Sequence, residues 1–201
     1  MKTKHAITGL AASLLLASCN FNVSLGEGTR GNGNVKTDER TVNGSFTAIH
    51  AQEGIDVYVT QANEASIRVE ADENIIDLIG TDIENGTLKI HAIENIGRTS
   101  SKKVYVSVPT IDELKTSSGA DLRVENMVKT DRISLESSSG SDIQVEVSAN
   151  SVFCDTSSGA EIKVTGTAKT IEAEASSGSE IDANGLVTEE AFAKASSGGD
   201  I

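Results

Sequence analysis

A six-residue pattern recurs five times in the second half of the chain and leaves few folds open to it. Ser117-Ser118-Gly119-Ala120-Asp121-Leu122 is followed by Ser138-Ser139-Gly140-Ser141-Asp142-Ile143 and Ser157-Ser158-Gly159-Ala160-Glu161-Ile162. Ser176-Ser177-Gly178-Ser179-Glu180-Ile181 and Ser196-Ser197-Gly198-Gly199-Asp200-Ile201 complete the series. Successive glycines stand 21, 19, 19 and 20 residues apart. A repeat of this length cannot bury an apolar face alone and must stack on its neighbours.

The flanks of each copy show what stacks. Three and five residues after the glycine come Leu122/Val124, Ile143/Val145, Ile162/Val164 and Ile181/Ala183. Seven and five before it come Ile133/Leu135, Val152/Cys154, Ile171/Ala173 and Ala191/Ala193. Both sets alternate with polar residues, which is the period of a strand buried on one side. Ser-Ser-Gly between them reads as a corner, with glycine supplying the bend and the serines bonding each other and the turn backbone. One turn is then strand, corner, strand and short return. The chain is expected to be all-β, a right-handed β-helix or β-solenoid with rungs of about 20 residues. Helical solenoids need longer units with a 3.6-residue period.

The first half is less regular and is expected to shield the first rung. Gly54-Ile55-Asp56-Val57-Tyr58-Val59 repeats the spacing of glycine, acid and apolar residues and reads as an earlier coil. Ser66–Glu70 and Val104–Val108 alternate as strands, the latter stopped by Pro109. Residues 74–79 suggest one helical turn, and Asn85-Gly86 predicts a hairpin.

The N-terminus reads as an address. Lys2 and Lys4 precede an apolar run from Ala6 to Ala17, the length of a secretory core and too short to span a bilayer. Leu16-Ala17-Ser18-Cys19 resembles the lipobox of bacterial lipoproteins, which implies a signal peptide over 1–18, lipid on Cys19 and a membrane partner through that lipid. Asn20 favours the outer membrane, the retaining Asp being absent at that position. Residues 19–44, rich in Gly and Asn, read as a flexible tether, with a strand pairing around Val35 and Val42. The folded domain is expected over 45–201.

Composition removes several function classes. Aromatic residues make up 3 % of the chain and tryptophan is absent, which argues against sugar- or base-stacking clefts. The net charge of -13 repels nucleic acid. At 37 % hydrophobic, the chain is too apolar to be disordered throughout.

With these motifs placed, the chain resembles the head GIN domain family. The resemblance rests on Gly-Asn-Gly-Asn at 31–34, the Phe46–Ile49 strand and Gly54-Ile55-Asp56-Val57. Glu70-Ala71-Asp72-Glu73-Asn74, Glu84-Asn85-Gly86-Thr87-Leu88 and the Ser-Ser-Gly-x-Asp copies complete it. Members are described as auto-transporter adhesins of Bacteroidetes-type bacteria, often lipoproteins. The resemblance implies a β-helical, non-catalytic exported domain and supplies no ligand. Ile201 falls inside a rung, where members continue to a closing segment, so a longer chain is expected.

Asp121, Asp142, Glu161, Glu180 and Asp200, each two after its glycine, would align in a column with rungs about 4.8 Å apart. Such a ladder is a candidate ligand or cation face, because hard cations take oxygen ligands. The inward rows at plus three and plus five place these acids outward, in solvent, and no metal is assigned to them. Catalysis is not expected: His5, His50 and His91 all precede the repeats, so the corner serines have no base. Cys154 occupies an inward slot and reads as core. No cofactor is expected. These features point to an envelope-anchored, adhesin-like binding domain with a protein or glycan ligand. The alternatives are a polysaccharide-acting β-helix enzyme and a purely structural envelope lipoprotein. Cys19→Ala should release a soluble exported protein; fractionation that still finds the variant in membranes would place the anchor elsewhere.

Overall fold

Two consecutive residues in the left-handed region of backbone space turn the chain at every corner. Ser118 and Gly119 have φ of 55° and 73°, and the same pair recurs at Ser139/Gly140, Ser158/Gly159, Ser177/Gly178 and Ser197/Gly198. The Ala120 N–H closes the first turn on the Ser117 carbonyl, and the Ser179 N–H closes its own on Ser176 at the same 3.3 Å. A primed turn of this kind asks for two positive φ angles, so the bend falls on serine as well as on glycine. Corners then bond to corners through the backbone: the Gly119 N–H donates to the Ser139 carbonyl at 3.2 Å, and Gly140 to Ser158 at 3.1 Å.

The computed structural model describes residues 28–201; the expected signal peptide and Cys19 lie outside the described residues. Fourteen strands follow in chain order. They are β1 (Val35–Arg40), β2 (Ala48–Ala51), β3 (Asp56–Gln61), β4 (Ser66–Asp72), β5 (Ile79–Glu84), β6 (Thr87–Ala92) and β7 (Lys102–Val108). β8 (Glu113–Thr116), β9 (Asp121–Val124), β10 (Val128–Lys129), β11 (Arg132–Ser138), β12 (Asp142–Ser157), β13 (Glu161–Ala175) and β14 (Glu180–Ala195) build the repeats. The fold is an all-β solenoid of stacked parallel strands.

Each coil lays one strand on a face before the corner and one on a face after it. On the leading face, β6, β2, β8, β11 and the second halves of β12, β13 and β14 stack in parallel. On the trailing face, β7, β3, β9 and the first halves of β12, β13 and β14 do the same. The expected short return is not a separate loop. β12 pairs with β13 on both sides of Asn150, so one 16-residue strand serves two faces.

The N-terminal half differs as expected, and its organisation was only partly visible. Glu53 (φ 61°) and Gly54 (φ 66°) form the same corner without serines, which makes β2–β3 the first coil. The chain then leaves the stack to cap it. β7 extends the trailing face beyond β3, and β4 and β1 follow in antiparallel order. β6 extends the leading face beyond β2, and the Asn85-Gly86 hairpin adds β5. A single 3₁₀ turn at Ile76–Leu78 joins the two. Coil two, β8–β9, returns to the opposite side of coil one. Within the stretch read as tether, β1 is the strand expected around Val35. The preceding loop is bonded too, with the Gly31 N–H on the Arg98 carbonyl at 3.0 Å.

The inward rows form one apolar core from Phe46 to Ile181. Ile49, Ile133, Leu135 and Ile162 are wholly buried, as is Cys154. The corner serines do not bond one another through side chains as anticipated. The hydroxyl network lies one residue to either side, at three before and one after the glycine. Ser141 Oγ donates to Thr116 Oγ1 at 2.9 Å and lies 3.0 Å from Ser137, while Ser179 donates to Thr156 at 2.9 Å. These buried hydroxyls satisfy one another and the turn backbone, as groups removed from water must. Where the pattern carries Ala120 or Ala160, the slot is apolar.

Burial declines at the last rung. Ala191, Phe192 and Ala193 are exposed, because among the described residues no strand covers β14. Ile143→Ala and Ile162→Ala should each cost about 2–5 kcal/mol in denaturant melts, as large-to-small changes in a packed core do. Hydrogen exchange should be fastest after Ile171; greatest protection there would contradict this ordering.

Candidate functional site

Parallel, in-register stacking determines where the repeat acids stand. Asp121 pairs with Asp142, Asp142 with Glu161, Glu161 with Glu180, and Glu180 bridges to Asp200. All are exposed or edge positions on the outer side of the trailing face, while the next residue of each strand from Leu122 to Ile181 is buried. The column has a sixth member. Asp56 lies opposite Asp121 in β3, and Lys103 of β7 stands beyond it. Asp56 carries the same spacing from Gly54 that marks the later acids, so its place was legible; Lys103 was not, because β7 reaches the stack only through the cap.

Burial and then the neighbouring Asp121 charge hold the Asp56 carboxyl above the usual range, with Lys103 and Lys102 opposing. Asp142 is raised for the same two reasons, and the Glu161 N–H pulls it back. Arg123 and Lys163 stand two residues beyond Asp121 and Glu161. Lys163 turns to Asp182 of the next rung at 3.0 Å, within its own column.

That second column carries what the sequence reading missed. Tyr105, Tyr58, Arg123, Gln144, Lys163 and Asp182 follow one another across the trailing face. The two tyrosines, the only ones in the chain, stack with centroids 5.2 Å apart. Arg68 of β4 covers Tyr105 at 4.1 Å, a cation–π contact. The alternation around each tyrosine signalled its outward direction. Their pairing required the capping topology, which no local pattern shows. A shallow groove of about 350 Å³ runs between the columns, lined by Asp56, Asp121, Asp142 and Glu161 on one side and Tyr58, Arg123 and Lys163 on the other.

The leading face uses the same stacking to a different end. Lys115, Glu136, Asp155, Glu174 and Lys194 form its central outer column. Lys115 binds Glu136 at 2.6 Å and Lys194 binds Glu174 at 3.2 Å, so cations close both ends. Asp155 between them is raised by burial first and by Glu136 and Glu174 next. The trailing column has a lysine at one end only.

The remaining candidates have structural roles. His50 pairs with Glu113 at 2.6 Å and His91 with Asp82 at 2.8 Å, both on the outer surface near the cap. Among the described residues no three acids, histidines or cysteines converge as a metal cluster. Burial pushes the Cys154 thiol up to about 12, which leaves it protonated and inert.

The family described as "Putative auto-transporter adhesin, head GIN domain" matches residues 45–201. Among solved structures, a protein from Bacteroides fragilis described as a "putative adhesin" superposes with a TM-score of 0.80 at 20 % identity, covering 87 % of this chain and 82 % of its own. A "putative adhesin" from Parabacteroides merdae gives 0.70 at 21 %, with 85 % and 81 % covered. A "putative lipid binding protein" from Parabacteroides distasonis gives 0.68 at 20 %, with 83 % and 80 % covered. At these identities the likeness is one of fold. Comparison with curated proteins returned no match.

The acid columns dictate a pH response. Asp56, Asp142 and Asp155 have folded pKa values above their unfolded ones, so the folded state binds protons more readily. Stability should therefore grow as pH falls from neutral through those raised values and level off below the ordinary aspartate value of 3.8. Glu73 and Asp182, held low chiefly by hydrogen bonds from Lys36 and Lys163, act oppositely, and their contribution disappears only as pH falls through their depressed values. Melting at pH 5.5 should thus exceed melting at pH 7.5 in low salt, salt should reproduce the gain at pH 7.5, and Asp142→Asn should remove part of it. A loss of stability at pH 5.5 together with no salt effect would overturn the aligned column.

Proposed function

The chain belongs to the head GIN domain family, and we propose from that premise that it is a lipid-anchored, non-catalytic, adhesin-like binding domain of the bacterial cell envelope. Lipid on Cys19 holds it to the outer membrane. The outer side of the trailing face meets a protein or glycan ligand.

One observation carries this reading: six carboxylates in a row, bordered by a tyrosine pair, on a face that has no opposing wall among the described residues. An enzyme of the polysaccharide-acting kind encloses its acids in a cleft, whereas a small-molecule site is concave and mostly apolar. A long shallow face with charge on one side suits a large partner, and its sign selects a basic one. The similar structure described as lipid binding does not redirect the reading, because the inward rows here fill the interior with their own side chains. The description of the family as adhesins supports it.

Two measurements test the proposal. Protease added to intact cells should remove the domain; protection until the outer membrane is opened would defeat an outward-facing adhesin. Asp121→Asn/Asp142→Asn/Glu161→Gln should weaken attachment to immobilised basic protein or host matrix at least roughly tenfold while melting no lower than the parent, since it removes repulsion. Unchanged attachment would move the ligand face elsewhere.

A further inference from the structure

The groove on the trailing face has a period, and the period selects among partners. Its walls are two columns of side chains that repeat once per rung, about 4.8 Å apart along the stack, and stand about 6.6 Å from each other across it. One wall accepts hydrogen bonds, through the carboxylates of Asp56, Asp121, Asp142 and Glu161. The other donates. The Tyr105 and Tyr58 hydroxyls, the Arg123 guanidinium and the Gln144 amide stand on consecutive strands, and none makes a hydrogen bond to another described residue. Lys163, next in line, is engaged with Asp182. Tyr105 lies between Arg68 and Tyr58, so neither of its ring faces is open to a sugar.

Three kinds of peptide can be measured against that period. An extended strand carries same-side residues about 6.6–6.8 Å apart and falls out of step with the rungs at once. An α-helix advances about 5.4 Å per turn and gains about 2.4 Å on the stack over four rungs. A polyproline II helix returns to the same side every third residue, about 9.3 Å, against about 9.6 Å for two rungs. Over six residues its mismatch is about 0.6 Å, so cations at every third position meet Asp56, Asp142 and Glu180 in turn. Such a helix has no internal hydrogen bonds, and its carbonyls need outside donors. The donating wall supplies them, and grooves lined by aromatic residues are where such segments dock.

We propose that the ligand of this face is a single polyproline II segment with Lys or Arg at every third residue, laid along the stack with its cations on the acid column and its carbonyls on the column of Tyr105, Tyr58, Arg123 and Gln144. The inference rests on the trailing face being the ligand surface, and it narrows the ligand from protein or glycan to this one backbone form.

Fluorescence anisotropy with three labelled peptides of equal charge tests it on the purified chain. One consists of four Pro-Pro-Arg units, the second has the same composition with its arginines consecutive, and the third is an alanine-based helix with one arginine per turn. The first should bind at least roughly tenfold more tightly than either of the others at the same ionic strength. Arg123→Ala should weaken it about threefold or more, although the variant is more negative and charge attraction alone would tighten it. Equal affinity for the three peptides, or tighter binding by Arg123→Ala, would overturn the inference. Attachment through charge would then still stand if Asp121→Asn/Asp142→Asn/Glu161→Gln weakens all three alike. A triple-helical Gly-Pro-Arg peptide that binds where the single chain does not would also overturn it. So would the absence of binding by any peptide, with attachment to immobilised basic protein then deciding the broader function by itself.

Discussion

Every rung lies directly over its neighbour in parallel register, and the molecule's other properties follow from that superposition. A side chain at one position of the repeat meets the same position above and below at strand spacing, so a preference is multiplied rather than averaged. Inward, this is favourable: Leu122, Ile143, Ile162 and Ile181 build a continuous apolar row. Outward, it forces like charges together, and Asp56, Asp121 and Asp142 share a row because the repeat places an acid at that step each time. The corner is what holds the register. Successive positive φ angles at serine and glycine reverse the chain within two residues, and the backbone bonds between corners stop one rung from slipping against the next.

The two outer faces show how the same constraint can be resolved or left open. On the leading face Lys115 and Lys194 bracket Glu136, Asp155 and Glu174, and the column is close to balanced. On the trailing face Lys163 and Asp182 neutralise each other in the adjoining column, and the acid column meets a lysine only at Lys103, beyond Asp56. Self-repulsion of this kind persists in a fold only when packing elsewhere exceeds it. Here the buried isoleucines contribute about 1.5–3 kcal/mol each, against roughly 1 kcal/mol or less per screened pair of surface charges.

What could be read from the sequence is what repeats. The period, the alternation and the glycine spacing specified the rungs, the inward rows and the direction of the acids from Asp121 to Asp200, because each is local and restated several times. Gly54-Ile55-Asp56 was recognisable as a coil by the same spacing. The cap was not readable in this way. Arg68 over Tyr105 depends on an antiparallel pairing across more than thirty residues, and the burial of Asp72 depends on a glycine-rich loop that composition alone marks as flexible. The corner hydroxyls were misplaced for a related reason: serine is abundant at the turn itself, yet the positions that face inward are one step before and one after, where Thr116, Ser137, Ser141 and Thr156 are interspersed with alanine.

The order in which the chain visits the stack has a bearing on how such a molecule assembles. β2–β3 is laid first, the cap is built on one side of it by residue 108, and β8–β9 then docks on the other side. From there each new turn finds its partner strand in the preceding 20 residues or so, already in place. Loop closure at that separation is short and constant, so growth resembles zipping on a finished template rather than a search. Once the cap is closed, a polypeptide emerging N-terminus first, from a ribosome or from a secretion channel, can therefore fold in the same direction and at the same pace as it appears, with only its newest edge unpaired.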